Sequence, residues 1–353
     1  MAKSKNNKLF FTRKLLKWHC EDNYRSFPWI KQKDPYKIWL SEVILQQTRA
    51  EQGLPYYQEF IKNYPNVHLL ANAPEQDVFR LWQGLGYYNR CRNLIESARK
   101  ISGELKGRFP DRYEDILSLK GVGDYTAAAI ASFAFDLPYA VVDGNVYRLL
   151  SRFFGNELPI DSKEGKSFFK TLARELLAED QAADYNQAIM DLGASVCKPK
   201  APLCGECPLS LRCMALKENT IDLLPVKEKK LQVKERLFHY FILLKGDQIF
   251  IQQRLQKDIW QNLFEFYRIE QQKNFKSTGE WQYLKPFIQK EELYIFRNRQ
   301  RLTHQIINSA FHLIHLKTKP ESLTEGQWIK ESSLKKFAFP QTILSFLNRK
   351  SYF

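Results

Sequence analysis

Two carboxylates and four thiols stand out in this 353-residue chain as groups whose surroundings could do chemistry. Glu42 sits in Trp39-Leu40-Ser41-Glu42-Val43-Ile44-Leu45, on an otherwise greasy helix. A glutamate there is expected to be partly desolvated, which raises its pKa and keeps a proton available near neutral pH. The competing reading is a water-facing glutamate on an amphipathic helix. Asp143 ends an apolar run, Pro138-Tyr139-Ala140-Val141-Val142, and opens the next helix. It reads first as an N-cap. Capping and catalysis are compatible, because helix N–H groups and the helix dipole hold a carboxylate ionised. An acid and an anion whose pKa values are pushed apart are the pair that sugar-bond hydrolysis uses.

Cys197, Cys204, Cys207 and Cys213 follow a Cys-x6-Cys-x2-Cys-x5-Cys spacing. Clustered soft thiolates suit a [4Fe–4S] cluster or zinc. A zinc ribbon shows two close cysteine pairs, and here only Cys204 and Cys207 form one, so the spacing favours iron–sulfur. The first loop carries Lys198 and Lys200. Held at both ends by metal, it could press them against phosphates. The alternative role for the cluster is to staple the end of its domain. Cys20 and Cys91 are left over and read as buried thiols.

Leu119-Lys120-Gly121-Val122-Gly123 precedes an Ala-rich helix. Gly121 and Gly123 let the backbone turn tightly and leave N–H groups exposed, a cradle for phosphate. By itself this is a weak signal, shared by many turns between helices. The formal net charge of +15 points the same way, toward a polyanion such as nucleic acid. No apolar run is long enough to span a membrane, and Met1–Lys8 lacks the apolar core of a secretory signal. The expectation is a cytoplasmic, nucleoid-associated monomer.

The elements that must hold these groups divide the chain. Residues 1–8 read as a basic, mobile arm. Residues 9–222 read as helices: apolar spacing runs from Pro35 to Phe60, Pro74 opens a helix that stops at Gly84-Leu85-Gly86, and another begins near Asn93. Tyr125–Phe135, Asn145–Phe154 and Phe168–Ala178 complete the set. Residues 223–236 are charged and read as a linker. In 237–353 the pattern turns to strands at Leu237–Leu244, Ile249–Ile251, Leu293–Phe296 and Ile306–Leu316, with a closing helix at Pro340–Asn348. The fold class is multidomain: an all-α domain followed by a smaller α+β domain.

Together these residues resemble a known family. SEVILQQT (41–48), GLGYYNR (84–90), LKGVGDYTAAAI (119–130), VDGNVYR (142–148), YNQAIMDLGASVC (185–197) and the cysteine cluster are similar to the helix–hairpin–helix DNA glycosylases of the endonuclease III superfamily. Within it the match is close to the adenine glycosylases of MutY type. The resemblance implies a [4Fe–4S] cofactor on 197–213 and double-stranded DNA with A:8-oxoguanine or A:G mispairs as partner. It implies that Glu42 protonates adenine at N7, that Asp143 steadies the sugar cation, and that Tyr125 and Asn145 line the site. Arg25, Trp29, Leu45 and Gln187 would form the pocket for the extruded adenine. Gln47 would wedge into the base stack, and Leu85 and Tyr87 would fill the space around the opposite base. Glycosylase/lyases of the superfamily carry a nucleophilic Lys where this chain has Tyr125, so a monofunctional enzyme is expected. One departure stands out: Ile30 follows Pro28-Trp29 where relatives often carry Arg.

The resemblance extends to a Nudix-like C-terminal domain that recognises 8-oxoguanine. Arg301-Leu302-Thr303-His304-Gln305 corresponds to its reading loop, with Thr303 and His304 as probes. Without the resemblance, His304 reads as a solvated loop histidine. The glutamate-rich box of Nudix hydrolases is missing from the segment, so no pyrophosphatase activity is expected. Two rivals remain: an endonuclease III-like glycosylase for oxidised pyrimidines, and a non-catalytic iron–sulfur DNA-binding protein.

Overall fold

A computed structural model describes residues 2–228, 232–270 and 274–349. Helices come first: α1 (Ala2–Glu21), α2 (Pro35–Leu45), α3 (Ala50–Asn63), α4 (Val67–Asn72), α5 (Glu75–Trp82), α6 (Asn89–Gly103), α7 (Tyr113–Leu117), α8 (Asp124–Phe135), α9 (Gly144–Phe154), α10 (Lys163–Leu176), α11 (Ala182–Ser195) and α12 (Met214–Lys217). Then follow β1 (Lys234–Lys245), β2 (Gln248–Gln253), β3 (Phe264–Glu265), β4 (Tyr267–Glu270), α13 (Gly279–Leu284), β5 (Ile288–Arg301), β6 (Gln305–Leu316), β7 (Gly326–Lys330) and α14 (Gln341–Leu347). No helix among the described residues is long and apolar enough to cross a membrane.

Packing groups these elements into two units, residues 1–71 with 96–230, and residues 72–95 with 231–353. The boundary differs from the sequence expectation because the 72–95 segment bonds to the sheet unit: Arg92 Nη1 donates to the Gln261 carbonyl at 3.3 Å, and Gln76 Nε2 to that of Asn262 at 3.3 Å. The segment 1–8 also departs from its reading as an arm. α1 starts at Ala2, Lys8 pairs with Glu175, and Phe11, Leu15 and Trp18 enter the core. The helix read from Pro35 to Phe60 is two helices, broken at 46–49. Pro74 is the N-cap of α5 rather than its first helical residue.

In the first unit α2 is the central rod. Asp34 caps it, accepting from the Tyr36 N–H at 2.9 Å, and Pro35 takes the first turn, where its missing N–H is not needed. Every position of this helix from Tyr36 to Ile44 except Lys37 is buried. A helix apolar all round belongs inside a fold. Its neighbour α8, DYTAAAIASFAF, buries Thr126–Ser132; the alanines let the two backbones come close. α9 and α11 meet at Gly193, where a Cβ would lie 2.8 Å from Asn145 Cβ, so only glycine permits this approach.

In the second unit the sheet order is β3-β2-β1-β6-β5, with β4 also paired to β1 and β7 to β2. β1 and β6 run parallel; the other pairings are antiparallel. Alternation sends Tyr240, Ser309 and Phe311 to one face, where Phe346 of α14 stacks on Phe311 at 4.7 Å. His239, Phe241 and His312 take the other face, against Phe275 and Trp281. β5 is an edge strand, bulged between Glu292 and Phe296. The expected linker starts at the end of a 3-10 turn at Leu223 and is irregular up to 228; its residues 229–231 lie outside the described residues, and its last three belong to β1.

Candidate active site

Three elements deliver the two carboxylates to one place. Glu42 comes from the middle of α2 and is 7% exposed, which removes the reading of a water-facing glutamate. Tyr125 comes from the first turn of α8 and hydrogen-bonds Glu42. Asp143 caps α9, accepting from the Asn145 N–H at 2.8 Å and the Val146 N–H at 2.7 Å through one oxygen. Its other oxygen accepts from the Asn145 amide at 2.8 Å.

The electrostatics separate the pair. Burial pushes the Glu42 carboxyl up to about 7; the Tyr125 hydrogen bond opposes this, and the charge of Asp143 adds to it. Burial also raises Asp143 above its ordinary value, whereas the sequence reading had the helix terminus dominating. Three N–H donors and the charge of Arg148 oppose that rise. Glu42 has one opposing partner and Asp143 several, so Glu42 is the group that keeps its proton longer as pH rises. Burial and Glu42 raise the Tyr125 hydroxyl well above its usual range, so it stays protonated. That hydroxyl also lies 3.2 Å from Met190 Sδ of α11. With one proton to give, it favours an ionised Glu42, the stronger acceptor.

Asp191 of α11 gathers two of the four residues assigned to the base pocket, Arg25 and Gln187. It is 2% exposed and accepts from Arg25 Nη1 at 2.7 Å, Asn23 Nδ2 at 2.9 Å and Gln187 Nε2 at 3.0 Å. Trp29 stands edge-on to Tyr57 at 5.3 Å and stacks on Phe27 at 4.9 Å. Leu45 packs where Gly53 of α3 leaves room. Sequence reasoning missed Asp191; the Gln187–Asp191 spacing of one helical turn was the available signal. It also missed Arg148. This side chain donates to Asn145 Oδ1 at 2.8 Å, to the Gly193 carbonyl at 2.7 Å and to the Cys197 carbonyl at 2.7 Å.

The four cysteines line one apolar cavity of ≈ 30 Å³ with Leu149, Phe153 and Leu209. Arg152 closes it, donating to Cys197 Sγ at 3.6 Å and to the Lys198 carbonyl at 2.7 Å. Among the described residues no group of three or more His, Cys, Asp or Glu is arranged around a single metal ion. Burial pushes the Cys207 thiol up to about 12 and raises Cys204 and Cys213. Cys204, Cys207 and Cys213 therefore need a metal's charge to persist as thiolates here, and four soft sulfur donors lining one apolar pocket suit a metal or metal–sulfur site. Lys200 is exposed and Lys198 half-buried on the intervening loop. Cys91 is buried as expected, whereas Cys20 is exposed.

The hairpin between α7 and α8 has Gly121 at φ +77°, the left-handed region that favours glycine. Gly123 is extended at φ −103° and caps α8; open space surrounds it. Gln46 ties the end of α2 to this turn through Thr126 Oγ1 at 3.2 Å. Gln47 is exposed and held at φ +56°, an unusual state for a non-glycine residue. In the second unit a groove of ≈ 660 Å³ is lined by Leu85, Tyr87, Trp260, Thr303 and His304, among others. The Tyr87 hydroxyl hydrogen-bonds Thr303 Oγ1. Leu85 is buried, while Tyr87 is 46% exposed at φ +49°.

Comparison with known proteins agrees with this geometry. Residues 40–174 match the family model described as HhH-GPD superfamily base excision DNA repair protein, and residues 239–349 match the NUDIX domain. The adenine DNA glycosylase of Buchnera aphidicola subsp. Schizaphis graminum is 32% identical over 310 residues, 86% of each chain. The adenine DNA glycosylase of Rattus norvegicus is 42% identical over 214 residues, covering 58% of this chain and 41% of its own. Among solved structures, a thermostable thymine-DNA glycosylase superposes with TM-score 0.56 at 29% identity, over 61% of this chain and 99% of its own. An endonuclease III–DNA complex shares the fold at TM-score 0.51 and 21% identity, over 59% and 96%. A relative this similar along most of its length decides between the rivals: the chain belongs to the adenine DNA glycosylases of the HhH-GPD base excision repair superfamily.

Proposed function

We propose that the chain removes adenine opposite 8-oxoguanine, and more weakly opposite guanine, by acid-assisted hydrolysis. The observation that carries this reading is a buried glutamate raised to about 7 beside an aspartate held by three N–H donors. Glu42 donates its proton to N7 of the flipped adenine, making the base a better leaving group. Asp143 faces the cation that develops on the sugar, and Asn145 keeps both of its oxygens fixed. Tyr125 supports ionised Glu42 once the proton has gone. Water then adds to the sugar carbon, and the proton it releases returns to the Glu42 carboxylate and restores the acid. With Tyr125 in place of an amine nucleophile, no Schiff base forms and the strand stays intact.

Arg25, Trp29, Leu45 and Gln187 hold the base: Trp29 offers a stacking wall and Gln187 a polar edge. Gln47 fills the gap left in the stack, and the Gly121–Gly123 hairpin, Lys198 and Lys200 take phosphates. Leu85, Tyr87, Thr303 and His304 examine the opposite base. The domain division behind this is a catalytic body over 9–222 and a lesion-reading body over 237–353. Cys197, Cys204, Cys207 and Cys213 would hold a [4Fe–4S] cluster, which would supply a structural cross-link behind the 198–203 loop. The chain acts as a monomer in the cytoplasm, at the nucleoid.

Single-turnover base release from duplexes of one sequence, with the base opposite adenine varied, tests this. The expected order is 8-oxoguanine, then guanine, with little release opposite thymine. Equal rates opposite all partners would remove the reading role of the second domain.

A further inference from the structure

β5 places Arg297, Arg299 and Arg301 on one face, at alternate positions. Their partners across the sheet are Ala310, Asn308 and Ile306 of β6, and Asn308 and Ala310 pair in turn with Leu237 and His239 of β1. Register therefore puts all of these side chains on the same side. Two grooves meet there. Arg301 lines the one that holds Thr303 and His304. Arg297 and Arg299 line a second groove, of ≈ 520 Å³, with His239 and Ala310.

The second groove offers donors and no acid. Among the described residues no carboxylate lines it. Glu235, on the same face of β1, is engaged by Arg299 at 3.3 Å. Arg297 lies over the Tyr294 ring at 4.6 Å, which fixes its guanidinium above the strand. The floor has the same polarity. The Tyr294 N–H donates to His312 Nδ1 at 3.1 Å, so the His312 proton sits on Nε2 and is donated to His239 Nδ1 at 3.0 Å. His239, 2% exposed, then carries its own proton on Nε2, which has no hydrogen-bond partner. Burial holds both imidazoles neutral, at about 4 for His239 and about 3 for His312.

We propose that Arg297, Arg299 and Arg301 form a track for the phosphodiester backbone of duplex DNA, running from the reading loop along β5 to the groove over His239. Alternate residues on a strand lie ~6.8 Å apart, the scale of the separation between successive phosphates along one strand. The occupant is duplex DNA because the track starts at the loop assigned to the opposite base and stays net positive: its three arginines face Glu235 and an Asp258 that Arg236 and Arg254 already engage. The inference rests on the reading above for its partner and goes beyond it by extending the footprint past the lesion.

The test is the salt dependence of binding to an uncleavable duplex carrying a 2′-fluoro-adenosine opposite 8-oxoguanine. The double variant Arg297→Gln/Arg301→Gln is compared with Lys335→Gln/Lys336→Gln, which removes the same charge from an exposed turn off the track. Each lost phosphate contact flattens the slope of log K against log salt by ~0.9, so the track variant should lose ~1.8 and the control close to nothing. Hydroxyl-radical footprints should shorten on one side of the lesion in the track variant alone. Equal slopes and equal footprints for the two variants would overturn the track. If the wild-type protein bound duplex but released no adenine, the proposed reaction would fail while the slopes still decided the track.

Discussion

The two units both bury carboxylates, and they treat them in opposite ways. In the second unit Glu265 is 2% exposed and meets Arg254 at 2.6 Å and Arg268 at 3.2 Å. Asp258 takes Arg236 and Arg254, each at 2.9 Å, and Glu270 takes Arg236 at 2.7 Å and Arg268 at 2.9 Å. Three acids and three arginines form a closed lattice. Burial lifts Asp258, but Arg236 outweighs it and holds the carboxyl at about 2; Arg236 likewise lowers Glu270. In the first unit the groups that act on Glu42 are Tyr125 and Asp143, neither of them a cation, and burial wins. The lesson is that burial alone does not make an acid. Withholding the counter-ion does.

The sharpest way to break this comparison is to neutralise one acid from each unit. Glu42→Gln should abolish base release while duplex binding survives; near-normal turnover would remove its role as acid. In wild type, release should be full below about pH 7 and fall tenfold per unit above it, as Glu42 loses its proton. Stability should move the other way. The unfolded carboxyl ionises near 4.5 and the folded one near 7, so ionisation favours the unfolded chain across that window. Glu42→Gln should therefore be more stable than wild type at pH 8, by about 3 kcal/mol. A melting temperature below wild type at pH 8 would contradict the desolvation argument.

Glu265→Gln should do the reverse. It leaves Arg254 and Arg268 short of a counter-ion in a buried lattice, which costs about 3–5 kcal/mol. The loss is read as a drop in the denaturant midpoint. Acid should weaken the same lattice. Asp258 and Glu270 have folded pKa values below the ordinary range, so their contribution is present above pH ~4 and lost as pH falls toward about 2. A Glu265→Gln variant as stable as wild type would mean that the lattice carries its charge at no net gain.

Next in size is Asp143→Asn, which should slow base release by on the order of 10² or more, because it removes the anion that faces the sugar cation. An amide can still accept from the N–H groups of α9, so the cap should survive and the melting temperature should move little. A large loss of stability with an unchanged rate in the folded fraction would make Asp143 a cap only.

What the sequence reveals follows the range of the forces. Glu42 was legible because its neighbours along the chain, Trp39 to Leu45, already declare a buried helix. Asp143 was legible as a cap, and the thiols through their spacing. The net rise of Asp143 was not, since the burial that overrides the helix terminus comes from other elements. Asp191 looked like one more polar residue on an Ala-rich helix; its main partner, Arg25, lies 166 residues away. The Arg236–Asp258–Glu270 lattice is invisible for the same reason. The Lys-rich start read as an arm because charge is local, whereas the burial of Phe11, Leu15 and Trp18 against α9 and α11 is not.

Asp191 gives the finest test of the comparison, because it is a buried acid of the first unit that does have its counter-ion. Its carboxylate can only accept, so Gln187 must turn its NH2 toward Asp191, at 3.0 Å, and its carbonyl oxygen away. If that oxygen faces the base, it favours an exocyclic amine, a donor, and disfavours a keto oxygen in the same place. Asp191→Asn removes the constraint, since an amide side chain accepts or donates and Gln187 can then turn either way. Arg25 loses its ion pair at the same time. The expected outcome is about a tenfold fall in adenine release, a loss of 1.4 kcal/mol, with a smaller fall for hypoxanthine, so that the preference between the two bases narrows. Asp191→Glu, which restores the charge, should recover part of that preference. An equal fall for both bases would make Asp191 a structural anchor for Arg25 and leave the orientation of Gln187 without a role in choosing the base.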